Sequence, residues 1–380
     1  MHVFLLLLVV LALTLLWAWR RPNRSRVDPR LDLETWQVVG DGLHNSNTDL
    51  VHWHGAFWLV HAASPWHLGS KQCRLVIRRS DDGRVFSWAS ELTMPGQDIR
   101  DPKLVPIGAK LFLYALPNTG LAATPYGTVY STSEDGLRWE SLRPIEIEGL
   151  PEDEASGWLL WRPKTRDGVT WLVPAYWRDH GRSILLSTQD GVRFRLVSRI
   201  WQGDGNDETD FEFLPDGRIL ATARLEIAPD SLLGHPGAHT LLATAAPPYE
   251  RWSYAKSFVA RLDGPALFAH DGRVFAVARY QPPPFGRLTR QASALARKRT
   301  ALYVVEPDRL VHLSDVPSAG DTSYAGVVLR EGSLFFSYYT SDVRRDWPWL
   351  LGMFLPSEIR MGRVSLTALA KLAEAEAPRA

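Results

Sequence analysis

"DFEFLPDGRILATAR", residues 210–224, decides the fold. Phe211 to Leu214 alternates around Glu212, Pro215-Asp216-Gly217 turns the chain, and Ile219 to Ala223 runs back to Arg224. Apolar stretches on either side of a Pro/Asp/Gly cluster read as two antiparallel strands joined by a tight turn. The pattern is written five more times: "DLVHWHGAFWLVHA" (49–62), "DPKLVPIGAKLFLYA" (101–115), "LLWRPKTRDGVTWLVPAY" (159–176), "PALFAHDGRVFAVAR" (265–279) and "YAGVVLREGSLFFSYY" (324–339). The turn glycines Gly55, Gly108, Gly168, Gly217, Gly272 and Gly332 recur 49 to 60 residues apart. A second series of hairpins lies between them, at 74–88, 127–139, 183–196, 240–252 and 301–313, with a closing strand at 359–366. Four strands per period, six times over, predict an all-β, six-bladed propeller across residues 35–367. An irregular β-sandwich has no reason to keep such a period. "TWQVV" (35–39), ahead of the first repeat, is expected to complete the last sheet and close the ring.

Composition narrows the function. The 380 residues carry 43 basic and 42 acidic side chains, so nothing points to nucleic acid as a partner. The single cysteine, Cys73, excludes an intrachain disulfide and a thiol-rich zinc site. No phosphate-cradling loop is present, and no cofactor or metal is called for. His52, His54, His61 and His67 lie near one another in sequence, but period-two spacing places the first two on one sheet face. At the N-terminus, Val3 to Trp19 is an apolar run followed by Arg20, Arg21, Arg24 and Arg26. Its length fits a single-pass transmembrane anchor over 1–19, with 20–34 a basic linker, and a cleavable signal peptide is the rival reading. The membrane face stays open. Residues 368–380 are expected to form a C-terminal tail.

Three outer hairpins carry a Ser/Asp/Gly turn followed by an aromatic: Ser80 to Gly83 with Trp88, Ser133 to Gly136 with Trp139, and Ser187 to Gly191 with Phe194. There Asp accepts turn N–H groups, Gly adopts positive φ, and the aromatic packs between sheets. These turns resemble the Asp-boxes of the sialidase superfamily. Topology then says which residues meet. Residues just before each inner strand and just after its partner share one rim, while the Asp-box turns lie on the other. The first rim gathers Asn47 and Asp49, Arg100 and Asp101, Glu208 and Arg224, Arg279, and Asp321 with Tyr324.

"ETDFEFLPDGRILATAR" (208–224) resembles the stretch in exo-sialidases where a catalytic glutamate precedes an inner strand and an arginine ends its partner. "GDTSYAGVVLREGSLFFSYYTS" (320–341) is similar to the strand bearing the sialidase tyrosine, especially in bacterial sialidase-like BNR propellers. "HNSNTDLVHWHGAFWLVH" (44–61) and "QDIRDPKL" (97–104) resemble the first two blades of that group. The resemblance covers roughly 40–366. It implies a retaining glycoside hydrolase acting on an acidic sugar of a glycan, with Tyr324 as nucleophile, Glu208 as its base and Asp101 as general acid. Arg224 and Arg279 would clamp the substrate carboxylate, with Arg100, Asn47, Asp49 and Asp321 also binding substrate and Asp49 a fallback acid. A tyrosine nucleophile suits a sugar whose anomeric carbon bears a carboxylate, because a charged nucleophile would be repelled.

One departure stands out. No arginine lies between Arg30 and Arg74, and His61-Ala62-Ala63 stands where related sequences carry an arginine-glutamate pair. This supports the alternative of a non-catalytic glycan-binding or scaffold propeller with a degenerate site. A third reading makes Asp101 and Glu208 an ordinary carboxylate pair. Two insertions, 287–299 with five basic residues and 343–358 with Trp347, Trp349, Leu350, Leu351, Met353 and Phe354, are expected on the site rim. Membrane contact through Arg287–Arg299 and Trp347–Phe354 is the sharper expectation for them, and a lid over the funnel the plainer one.

Overall fold

The inner strand pair of each blade comes from one repeated hairpin. The computed structural model describes residues 2–20, 22–122, 124–151 and 154–376. Blade one contains His44–Trp53, Ala56–Ser64, Arg74–Ser80 and Ser87–Leu92, and blade two contains Asp98–Ile107, Lys110–Asn118, Val129–Ser133 and Arg143–Pro144. Blade four contains Asn206–Phe213, Ile219–Leu225, His239–Ala245 and Trp252–Ser257, and blade five Asp263–His270, Arg273–Tyr280, Arg299–Val305 and Leu310–Asp315. Blade six has Thr322–Arg330, Ser333–Thr340 and Glu358–Ser365, completed by Glu34–Val39 from the start of the chain, with Trp36 opposite Met361. The ring thus closes through an N-terminal strand, as its sequence led one to expect.

Apolar clusters fill the gaps between neighbouring blades. Leu220 and Leu242 of blade four meet Leu267 and Ala276 of blade five, and Val105 and Tyr114 of blade two meet Val173 and Leu186 of blade three. Each fully buried side chain of this kind contributes about 1.5–3 kcal/mol. In the Asp-box turns, Gly83 and Gly136 donate to the Ser80 and Ser133 hydroxyls at 2.9 and 2.8 Å. Asp135 takes the amides of Leu137 and Arg138, each at 2.8 Å. These bonds hold the Asp135 carboxyl well below the usual carboxylate range.

Blade three departs from the pattern. Its innermost strand is broken into Trp158–Leu160 and Lys164–Thr165, both paired with Trp171–Trp177, while Glu146–Glu148 adds a parallel outer strand beside Arg193–Gln202. At the break, Trp161, Arg162 and Lys164 reach across the central channel. Trp161 Nε1 donates to Pro265 O at 2.9 Å, Arg162 bonds Asp49 and the Ala325 carbonyl, and Lys164 donates to Leu267 O at 2.8 Å. These contacts tie blade three to blades one, five and six across the centre of the ring.

The transmembrane expectation is corrected. Helix α1 (His2–Arg20) has 19 residues, and no helix among the described residues is long and apolar enough to cross a membrane. At 1.5 Å per residue it rises about 28 Å, short of a hydrocarbon core of about 30 Å. The anchor over 1–19, and the membrane localisation drawn from it, are not supported. Within 20–34, Arg26 N donates to Asp315 Oδ2 at 2.7 Å and Asp28 N to Ser314 Oγ at 2.9 Å, so this stretch docks on blade five. Helix α2 (Leu366–Glu376) packs Leu369 and Leu372 into the cluster between blades five and six, and 377–380 lie outside the described residues.

Candidate functional site

Five of the six innermost strands begin with the same irregularity. The pairing between first and second strand slips between Ser46 and Asp49, Arg100 and Lys103, Asn206 and Thr209, Asp263 and Ala266, and Ser323 and Gly326. A bulge at a strand entrance bends the chain and re-aims a side chain. Here the re-aimed residues are Asn47, Asp101, Glu208, Gly264 and Tyr324. Asn47, Asp101, Gly264 and Tyr324 have φ of 51, 50, 57 and 49°. Each stands three residues before a large apolar residue of its strand: Leu50, Leu104, Phe211, Leu267 and Val327.

Asn47, Asp101, Glu208 and Tyr324 line one cavity of about 320 Å³, together with Arg100, Arg178, Arg224, Arg261, Arg279, His67, His180, Tyr176 and Glu226. The lining brings five arginines together with the four carboxylates of Asp101, Glu208, Glu226 and Asp230. At its base the Tyr324 hydroxyl donates to Glu208 Oε1, while Glu208 Oε2 accepts Gly264 N at 2.6 Å and pairs with Arg224 Nη1 at 3.0 Å. Burial, then the Glu208 charge, pushes the Tyr324 phenol well above its ordinary value, so it rests neutral. Burial also pushes Glu208 up, to about 7, against the pull of Arg224 and with the help of Asp207 and Asp263.

Gly264 is required at its position. Its φ is +57°, and a Cβ there would lie 2.8 Å from Tyr324 Cδ2. Gly264→Ala is expected to cost about 1–2 kcal/mol in backbone strain alone, and more as the Tyr324 ring is driven off Glu208. Urea unfolding would measure the first effect. Loss of ordered tyrosine signals in near-ultraviolet circular dichroism would report the second.

The arginines converge on buried carboxylates. Arg224 pairs with Asp207 through Nε at 2.8 Å and through Nη2. Burial works against its charge, but Asp207, Glu208 and Glu226 raise Arg224 well above its ordinary value. Asp263 gathers two more, with Arg261 Nε at 2.7 Å and Arg279 Nε at 3.1 Å, and Arg224 Nη1 lies 4.0 Å away. Arg279 passes Nη1 to Asp321 Oδ1 at 3.3 Å and lies over the Tyr324 ring, 5.5 Å from its centroid. Arg100 is held by Asp98 through Nε at 2.7 Å and gives Nη1 to His67 O at 3.2 Å.

Two expected site residues sit elsewhere. Asp49 lies outside the cavity lining, accepting Leu104 N at 2.8 Å and Arg162 Nη1. Asp321 stands behind the wall, where Oδ1 accepts Tyr339 Oη at 3.0 Å and Trp349 Nε1 at 2.8 Å. Asn47 and Asp101 are bonded to each other at the bulge tier. Arg261, His67, His180 and Glu226 were missed. Arg261 comes from the connection between blades four and five. The signal that could have found it is its place two residues before Asp263, at the head of a bulged strand.

The histidines near the first blade share no site. His52 lies 2.9 Å from Arg330 Nη1, His54 stacks on Trp53, and His61 is buried beside Arg78, with burial pushing it down to about 3. Two other groups, His44/His67/Asp321 and His180/Asp207/Glu226, bring their donor atoms within 4.8 Å. In the second, the Arg224 guanidinium already occupies Asp207 and approaches Glu226 at 3.7 Å, where a metal cation would be repelled. In the first, direct contacts of 3.1 and 2.7 Å join His44 and His67 to Asp321 Oδ2.

The two insertions form a lid and turn part of their expected membrane-facing groups inward. Trp349 N and Leu350 N donate to Ala296 O and Ala294 O, both at 2.9 Å. Arg297 and Arg299 pair with Asp346, Lys298 and Trp347 are buried, and Trp349 and Met353 line the cavity. These inward contacts take up Arg297, Lys298, Arg299, Trp347 and Trp349, while Arg287, Arg290 and Phe354 stay exposed; membrane contact through Arg287–Arg299 and Trp347–Phe354 is not supported.

No protein-family model matches the chain, and no curated protein does. Solved structures do. Trypanosoma rangeli sialidase bearing 2,3-difluorosialic acid as a covalent intermediate aligns with TM-score 0.61 and 11% identity, over 92% of this chain and 61% of that one. A mutant of NanB sialidase from Streptococcus pneumoniae aligns with TM-score 0.58 and 11% identity, over 88% and 70%. An exo-β-1,3-galactanase from Clostridium thermocellum aligns with TM-score 0.53 and 8% identity, over 74% and 65%. The chain spans about 60% of the length of the trypanosomal enzyme. At such identities the property held in common is the fold, and the chain is a sialidase-like six-bladed β-propeller.

Proposed function

We propose that this chain is a retaining glycoside hydrolase of sialidase type that removes an acidic sugar from a glycan. One observation carries the reading: a neutral, buried tyrosine donates to a glutamate beneath a cluster of guanidinium groups. Tyr324 would attack the anomeric carbon while Glu208 takes its proton. Arg224 and Arg279 would pair with the sugar carboxylate. Arg261 would supply the third guanidinium that the first blade lacks, since Ala62 and Ala63 of blade one are core residues. The solved sialidases of this fold include one holding a covalent intermediate, in keeping with a two-step, retaining course.

The test is turnover of a panel of α-sialosides and neutral glycosides by the full chain, with product stereochemistry read by NMR. Cleavage of α-sialosides with retention supports the reading, and cleavage of neutral sugars alone overturns it. The Glu208 environment adds a prediction. A base whose pKa is pushed up to about 7 must lose its proton before it can act. On α-sialosides, kcat/KM should therefore rise with pH through about 7, since this parameter reports ionisations of the free enzyme. Glu208→Gln should erase that limb and lower kcat/KM at every pH. An unchanged limb in the variant would assign it to another group.

A further inference from the structure

We propose that His67 is the proton donor and acceptor for the leaving group, an assignment that rests on the hydrolase reading above. His67 lies in the connection after the second strand of blade one and lines the cavity. Its backbone ties it to the lid, because His67 N donates to Met353 O at 2.8 Å, and its ring meets Trp349 edge-on at 6.2 Å between centroids. It therefore stands in the upper wall with the lid residues, above the bulge tier that holds Glu208 and Tyr324. A leaving oxygen that departs toward the lid would pass this wall.

The ring is oriented from behind. Its buried Nδ1 lies 2.7 Å from Asp321 Oδ2 in an ion-pair contact, and with that nitrogen turned to the carboxylate Nε2 would be the one offered to the cavity that His67 lines. Asp321 is itself immobilised by Tyr339, Trp349 and Arg279 on Oδ1 and by His44 Nε2 at 3.1 Å on Oδ2. His44 is fixed in turn, since its Nδ1 donates to Leu355 O at 2.9 Å. A carboxylate behind an imidazole fixes tautomer and orientation, and it stabilises the imidazolium that donates in the first step and is restored in the second. Arg279 links this assembly to the nucleophile, touching Asp321 and lying over the Tyr324 ring. Asp101, the acid expected from the sequence, sits one tier lower on the bulge and is engaged by Asn47.

The steps balance. Tyr324 Oη bonds to the anomeric carbon as its proton passes to Glu208. His67 enters with a proton on each ring nitrogen; as the bond from that carbon to the leaving oxygen breaks, Nε2 gives that oxygen its proton and the ring is left neutral with Nδ1–H on Asp321. Water then attacks the same carbon and yields a proton to His67 Nε2. The Tyr324 bond breaks, and Glu208 returns its proton to the phenol.

Leaving-group dependence tests the assignment. An α-sialoside of a phenol departs without protonation, whereas an α-sialoside of galactose needs it. His67→Ala is expected to lose about 10²- to 10⁴-fold in kcat/KM on the galactoside, the usual range for general acid catalysis, and far less on the phenol glycoside. Asp101→Asn should show no such split. His67→Gln, which keeps an amide in the wall, should reproduce the split if the loss is chemical. Equal losses on both substrates, or a split in Asp101→Asn instead, would overturn the assignment while Tyr324→Phe still tests the nucleophile separately. A wild-type chain that cleaves only the phenol glycoside has no working proton donor and also overturns it. A wild-type chain that cleaves neither overturns the hydrolase reading, and this inference with it.

Discussion

Tyr324→Phe should remove α-sialoside turnover, by about 10⁴- to 10⁶-fold on the scale of nucleophile deletions in other hydrolases, while leaving the fold and sugar binding in place. The change deletes one oxygen. The ring keeps its contacts with Trp161 and Tyr339, at 6.0 and 6.3 Å between centroids, and with the Arg279 guanidinium. Glu208 loses its Tyr324 donor but retains Gly264 N and Arg224. Stability should accordingly change by only about 1 kcal/mol, the net worth of one hydrogen bond. Calorimetric titration with free sialic acid should give similar affinity for variant and wild type, because the guanidinium groups are untouched. That combination separates a lost nucleophile from a damaged site. Turnover that survives the substitution rejects the tyrosine mechanism and returns attention to Asp101 and Glu208 as a carboxylate pair. Sugar-acid binding without turnover by the wild type would make the propeller a binding module.

The ring and much of this site can be read before any coordinates, and the reason is periodicity. A turn glycine every 49 to 60 residues fixes six inner hairpins. The rule that strand entrances share a rim then brings Glu208 and Tyr324 together across 116 positions. Asp49 fails for a physical reason. Alternation puts Asn47 and Asp49 on one face, but the slip between Ser46 and Asp49 breaks the alternation there, so Asn47 lines the cavity and Asp49 meets Arg162 outside its lining. His67, His180 and Arg261 sit in connections that have no period, and of the three only Arg261, two residues before Asp263, carries a positional signal. The N-terminal run was misjudged on a count of apolar residues, which sets helix length within a few ångströms of the spanning threshold. Of the two readings of the insertions, membrane contact is the one not supported, because tryptophans and arginines in sequence do not reveal that Asp346 takes Arg297 and Arg299 and that Trp349 lines the cavity.

Asp263→Ala should be the most destabilising substitution in the site and should also abolish its affinity for anions of defined geometry. Asp263 is buried between Arg261 and Arg279, with Arg224 at the edge of reach. Burial alone would raise its pKa, but these three arginines hold it far below the usual carboxylate range. Removing one partner of a buried ion pair costs about 3–5 kcal/mol, because the partner charge stays behind uncompensated. Here two guanidinium groups lose their main counter-charge and are free to turn toward Glu226 and Asp321, which already hold them by one nitrogen each. The pH dependence has a definite sign. A carboxylate whose folded pKa is depressed adds stability above its unfolded pKa of about 3.9, and that stability is lost as pH falls toward the folded value. The gap between wild type and Asp263→Ala in urea unfolding should thus be full at pH 7 and shrink below about pH 4. A gap that widens on acidification would mean that Asp263 is protonated in the folded chain and that the arginine cluster is held some other way. Asp263→Asn keeps the shape and two acceptor lone pairs without the charge, so it should recover packing but not the charge-dependent part. If the guanidinium cluster grips a carboxylate, both variants should lose affinity for sialic acid, while a neutral sugar amide should bind wild type and variants alike.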